Sequence, residues 1–150
     1  MSYDFLLKDL NNNLTQKSIG TDKGLAKIGD GIVNLTYSIA KSIVLTRNSK
    51  NNRSVRTGVK VSKTILANAL KEANMKGFSK TRADAHDLAD TVEALVAYVW
   101  FIKKMTIEEI TNFLVDSLDR NLTVRSEEIK NATLAFKNLL IEIKKYLPES

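Results

Sequence analysis

One hundred and fifty residues, 43% of them hydrophobic, suffice for one domain with its own core, and the chain reads as a single domain over 1–150. The absence of cysteine excludes disulfides, thiolate metal sites and cysteine nucleophiles, and fits a cytoplasmic protein. The net charge of +6 is uneven: residues 1–105 carry 17 Lys and Arg against 9 Asp and Glu, whereas residues 106–150 carry 6 against 8.

With one proline, six glycines and few alternating β-branched runs, the sequence predicts an all-α fold of about six helices. Ser2 is placed to cap a short first helix with Phe5, Leu6 and Leu10 as its apolar residues, fading into the polar connection "NNNLTQKSIG". A long second helix is expected from about Asp22 to Leu45. In it Leu25, Ile28, Ile32, Leu35, Ile39 and Ile43 recur at steps of three and four as one buried stripe. "RNSKNNRSVRTG" reads as a loop, and "SKTILANALKEANM" as a third helix with Ile65, Leu66 and Leu70 inward.

"KGFSKTRA" forms a turn before a fourth helix, "HDLADTVEALVAYVWFI", with Leu88, Val92, Leu95 and Val99 in one line. Its apolar run falls short of the roughly 20 residues that span a bilayer, so no membrane role is expected. Thr106 followed by Glu109 has capping-box spacing and starts a fifth helix with Ile107, Ile110, Phe113, Leu114 and Leu118. Ser126 is expected to cap the last helix, which carries Ile129, Leu134, Phe136, Leu139, Leu140, Ile143 and Leu147 and ends at Pro148.

The acids on the two long helices carry the chemical interest. Asp30 falls opposite the apolar stripe, near Asn34, Tyr37 and Lys41, and is flanked by Gly29 and Gly31. A mid-helix glycine costs about 1 kcal/mol relative to alanine, and close approach of a backbone or ligand is the usual reason for one. Asp90 and Glu93 lie three apart, on nearly the same side of a helix. Glu93 is the one charge between Thr91 and Ile102, a run apolar on nearly every side, as in the central helix of a bundle, where burying a lone carboxylate is costly unless it is protonated, paired or metal-bound.

Packed side by side, the two helices would bring Asp30, Asp90 and Glu93 to one pocket. Such an oxygen-only set suits Mg²⁺ or Mn²⁺ and not zinc. Taken alone, composition and spacing favour ion pairs to Lys or Arg over a metal. Nearby, His86 reads as a surface or capping group of the helix start, Asp87 as a first-turn acid that favours the helix dipole, and Tyr98, Trp100 and Phe101 as core or dimer contacts. From Gly31 to Lys71 there is no acidic residue, but there are Lys41, Arg47, Lys50, Arg53, Arg56, Lys60, Lys63 and Lys71. Tracts of this kind contact polyanions.

"LTQKSIGTDKGLAKIGDGIVNL", residues 14–35, resembles the first signature of the ribonuclease III endonuclease domain. There a Leu-Thr-x-x-Ser element leads into a helix bearing Gly-Asp. "LADTVEALVAYVW", residues 88–100, is similar to its second signature, Ala-Asp-x-x-Glu-Ala-Leu with an apolar tail. The resemblance covers roughly residues 10–105, with the last two helices as the end of the same domain. It implies that Asp30, Asp90 and Glu93 are catalytic metal ligands of a homodimeric hydrolase that cleaves double-stranded RNA with Mg²⁺ (or Mn²⁺), leaving 5′-phosphates and short 3′ overhangs.

There are two departures. Ala26 stands where most members carry a Glu four residues before the aspartate, a feature in which "LAKIGDGI" is more similar to the compact Mini-III relatives. Nor is a separate double-stranded RNA-binding domain expected, so RNA would be held by the domain itself through Asn34, Lys41, Arg47, Lys50, Arg53, Arg56, Lys60 and Lys63. The alternatives are a non-catalytic RNA-binding protein of the same fold, which Ala26 favours, and a helical interaction module whose acids are only salt-bridged.

Overall fold

A computed structural model describes residues 3–51, 53–118 and 121–150. Among the described residues all regular structure is helical: α1 (Gln16–Gly20), α2 (Lys23–Arg47), α3 (Lys63–Glu72), α4 (Ala85–Phe101), α5 (Ile107–Ser117) and α6 (Arg125–Lys144). Short 3-10 turns occupy Asp4–Leu7, Leu10–Asn13 and Lys76–Phe78. Among the described residues no helix is long and apolar enough to cross a membrane.

Most helix starts follow their capping side chains. Asp22 Oδ1 accepts from Leu25 N at 2.8 Å, Ser62 Oγ from Ile65 N at 3.3 Å, and reciprocal capping boxes join Asp84 to Asp87 and Thr106 to Glu109. The first turn of α4 therefore uses Asp87 as a cap partner.

The two ends of the chain depart from expectation. Ser2 lies outside the described residues, and Phe5, Leu6 and Leu10 belong to 3-10 turns. The connection beyond them holds α1, started by a capping box between Thr15 and Ser18 and too short to show a hydrophobic period. Ser126 does not cap α6, which begins at Arg125 after Val124 with no side-chain cap. It ends at Lys144, before Pro148, whose carbonyl accepts from Gln16 Nε2 at 2.8 Å. Leu134 is exposed.

As the apolar run implies, α4 is central: it packs against α1, α2, α3 and α6, and residues 91–99 are all buried. The buried side of α2 is rotated from the expected stripe. It consists of Leu25, Ala26, Gly29, Ile32, Val33, Thr36, Tyr37, Ala40 and Val44, while Ile28, Leu35 and Ile39 are exposed. Close helix packing selects small residues over bulky ones, so a count of large aliphatics picks the wrong side. Tyr37, expected near Asp30 on the open side, instead points into the core, where its hydroxyl donates to Glu128 at 2.9 Å.

Glu128 is 5% exposed and also receives Lys41 Nζ at 2.8 Å and Arg125 Nη1 at 3.2 Å. Burial works to raise its pKa, but the bonds from Lys41 and Tyr37 hold it below the usual carboxylate value. This buried network ties α2 to α6.

Candidate active site

The α2–α4 contact builds the site. At Gly29 the two backbones approach so closely that a Cβ there would stand 1.7 Å from the Glu93 carbonyl oxygen. Of the three α2 glycines, this one is required by packing; Gly31 faces open space and Gly24 meets only the Asp22 side chain at 3.3 Å. The next residue after Gly29 is Asp30, so the crossing sets Asp30 beside Glu93.

Glu93 is 7% exposed. Burial, then its hydrogen bond with Asp30, then the charges of Asp30 and Asp90 push its pKa up to about 8, against a smaller opposing effect of Lys63. Near neutral pH this favours the protonated form of Glu93, with Asp30 as its hydrogen-bond partner. Two carboxylates bound by one proton form a pair in which a cation can take the proton's place.

Asp30, Asp90 and Glu93 line one cleft of ≈ 500 Å³, together with Ala26, His86 and the lysines Lys23, Lys27, Lys60 and Lys63. Asp90 is turned to Lys23, whose Nζ donates at 2.9 Å, and His86 Nε2 lies 3.7 Å from the same carboxylate. Asp90 raises the pKa of the Lys23 ammonium. His86 also contacts Lys63. Among the described residues no three His, Asp or Glu side chains stand as a compact ligand cluster. A pair of acids is assembled, and the third is held a short way off by a lysine.

The basic residues named from sequence divide by position. Lys60 and Lys63 reach the cleft. Asn34 bridges Asp30, donating from Nδ2 at 3.1 Å, and the loop before α3, accepting from Val61 N at 2.8 Å. Lys41 turns inward to Glu128. Arg47 and Arg56 border a groove with Leu35, Ile39 and Ile43, and Lys50 and Arg53 are exposed near the turn after α2. Sequence reasoning passed over Lys23 and Lys27, although steps of four and three toward Asp30 put all three on one helix face.

A comparison with curated protein sequences gives no match. The family model described as Ribonuclease III matches residues 23–149, which contain α2 to α6 and all three acids. The chain belongs to the ribonuclease III family.

Proposed function

We propose that the chain is an endoribonuclease that hydrolyses phosphodiester bonds in double-stranded RNA, with Mg²⁺ or Mn²⁺ held by Asp30, Asp90 and Glu93. The observation that carries this reading is the convergence of Asp30, Asp90 and the buried Glu93 on one cleft rimmed with lysines, set by the Gly29 crossing. Structural ion pairs seldom leave a carboxylate protonated near neutral pH; catalytic and metal-binding acids often do. Family membership points to the same class of chemistry. The donor set fits a hard cation, being oxygen alone.

A bound cation supplies the charge that makes water a stronger nucleophile and offsets the charge building on phosphate oxygens. The protein's share is placement. Asp30 and Glu93 are fixed by α2 and α4, Asn34 holds the Asp30 carboxylate, and Asp90 exchanges Lys23 for the site. Lys27, Lys60 and Lys63 offer point charges to the phosphates on either side of the scissile bond. Water adds to phosphorus and the P–O3′ bond breaks, leaving a 5′-phosphate and a 3′-hydroxyl.

We also propose association into a homodimer. The exposed apolar residues Ile28, Leu35 and Ile39 on the outer side of α2 support it. Sedimentation of Leu35→Asp, expected to shift the protein toward monomer, checks this part.

The nuclease reading is tested by incubating a labelled RNA duplex with Mg²⁺, Mn²⁺ or Ca²⁺, with Glu93→Ala as control. Cleavage in Mg²⁺ or Mn²⁺ that vanishes in the variant is the expected result; equal cleavage by the variant would remove Glu93 from the site. A second reading, RNA binding without cleavage, is favoured by Ala26 lining the cleft where an acid is usual and by Lys23 already neutralising Asp90. It requires salt-sensitive binding with no cleavage in any of the three metals.

A further inference from the structure

Residues 53–62, between α2 and α3, run back along α2 as an extended strap pinned at every second residue. Val55 N donates to Thr46 Oγ1 (2.8 Å), Thr57 N to Ser42 Oγ (3.0 Å), Val59 N to Ser38 Oγ (2.9 Å) and Val61 N to Asn34 Oδ1 (2.8 Å). The hydroxyls of Thr46 and Ser38 return the bond to the carbonyls of Val55 and Val59, each at 3.2 Å. Ser42 Oγ, 3.3 Å from the Thr57 carbonyl, also lies 2.8 Å from that of Ser38.

The register has a simple origin. Four residues of helix rise about 6.0 Å and two residues of extended chain about 6.6 Å, so the rungs stay nearly in step over three turns. The alternation sends the intervening residues outward: Ser54, Arg56, Gly58 and Lys60 are exposed, whereas Val55, Thr57 and Val59 are half-buried and Val61 buried. Nothing stands within 4 Å of a Cβ built on Gly58, so the outer side of the strap is open to the backbone itself. The strap runs antiparallel to α2 and delivers Lys60 to the carboxylate cleft, and Asn34 joins its last rung to Asp30. No acidic residue lies between Gly31 and Lys71 to offset it.

We propose that this strap is a splinted cationic rail for the phosphate backbone of an RNA strand, and that Ser38, Ser42 and Thr46 are positioning residues that set its register against the cleft. The proposal rests on the nuclease reading for the identity of the polyanion. A free loop with the same charges must be ordered on binding, and the hydroxyl ladder removes that cost in advance. Arg56 and Lys60, four residues apart in extended chain, stand about 13 Å from each other and can engage separate phosphates.

The test is binding of an RNA duplex in EDTA, where cleavage cannot interfere, over a range of salt. Arg56→Ser/Lys60→Ser is expected to weaken binding about tenfold or more and to lower the salt slope by roughly two, one per lost phosphate contact. Ser42→Ala/Thr46→Val leaves the charge unchanged; it is expected to free the amides of Val55 and Thr57 to hydrogen exchange, weaken binding several-fold and lower the slope. Thr46→Ser, which keeps the hydroxyl, is expected to behave as the parent. The proposal is overturned if the ladder variant frees those amides yet keeps parental affinity and slope, if the amides stay protected, or if removing Arg56 and Lys60 changes nothing. Should the parent bind RNA through the strap yet not cleave, the nuclease reading fails alone. Should it cleave while strap variants bind as the parent, the strap proposal fails alone.

Discussion

Gly29 and Glu93 meet backbone to backbone, and that contact makes the fold and the site the same object. A Cβ on Gly29 would stand 1.7 Å from the Glu93 carbonyl oxygen and 2.4 Å from its carbon. No rotamer relieves a clash with backbone, so Gly29→Ala must push α2 and α4 apart. Overpacking of this kind costs typically 1–3 kcal/mol, and we expect the upper end. Gly31→Ala meets nothing within 4 Å and removes a mid-helix glycine, so a gain of about 0.5–1 kcal/mol is expected. Urea denaturation of the two variants checks the contrast, and in Gly29→Ala cation binding is expected to fail with the lost crossing.

The Asp30–Glu93 pair gives the metal-free protein a defined pH dependence. Glutamate ordinarily titrates at 4.5, and Glu93 in the fold at about 8. Between those values the folded chain holds a proton that the unfolded chain has released. This group's effect is therefore to lower stability as pH rises from 4.5 to about 8, with no further loss above. Thermal melts in EDTA are expected to show a fall over that window that is flattened in Glu93→Gln. Added Mg²⁺ is expected to raise the melting temperature more at about pH 8 than at about pH 6, because less proton must then be displaced.

Lys23 holds Asp90, and under the proposed function its ammonium stands where a cation would bind. The pair is 2.9 Å long but Lys23 is largely exposed, so Lys23→Met is expected to change stability by no more than about 1 kcal/mol. Mn²⁺ binding is expected to tighten several-fold, since the cation no longer competes with an ammonium for Asp90. Unchanged or weaker Mn²⁺ affinity in a titration calorimeter would show that Lys23 is no competitor.

The Glu128 network is structural, and its removal is expected to act on stability. Glu128→Ala leaves Lys41 with its charge largely buried and unpaired, a loss of about 3–5 kcal/mol. Tyr37→Phe removes one bond from the same carboxylate and is expected to cost about 1 kcal/mol. Urea denaturation measures both.

Much of this was legible in the sequence. The apolar run of α4 correctly implied a central helix, Glu93 correctly implied a buried acid in need of compensation, and Gly29 implied a close approach. The orientation of α2 was not legible, because its packing side is made of Ala, Gly, Val and Thr while its larger Ile28, Leu35 and Ile39 stay outside. Nor was the Lys41–Glu128 pair, which joins residues 87 positions apart and depends on how α6 docks. The strap read as a loop although Val55, Thr57, Val59 and Val61 alternate with exposed residues, because the hydroxyls that order it lie on a neighbouring helix and not on a second strand.

The central physical claim is that three carboxylates on two crossed helices exchange a proton and a lysine for a divalent cation. Calorimetric titration of Mn²⁺ at neutral pH, in buffers of different ionisation enthalpy, tests it most directly. Saturable binding with release of close to one proton per cation, severely weakened in both Asp30→Asn and Glu93→Gln, is the expected result. Binding that persists unchanged in Glu93→Gln, or no saturable binding at all, would contradict the claim.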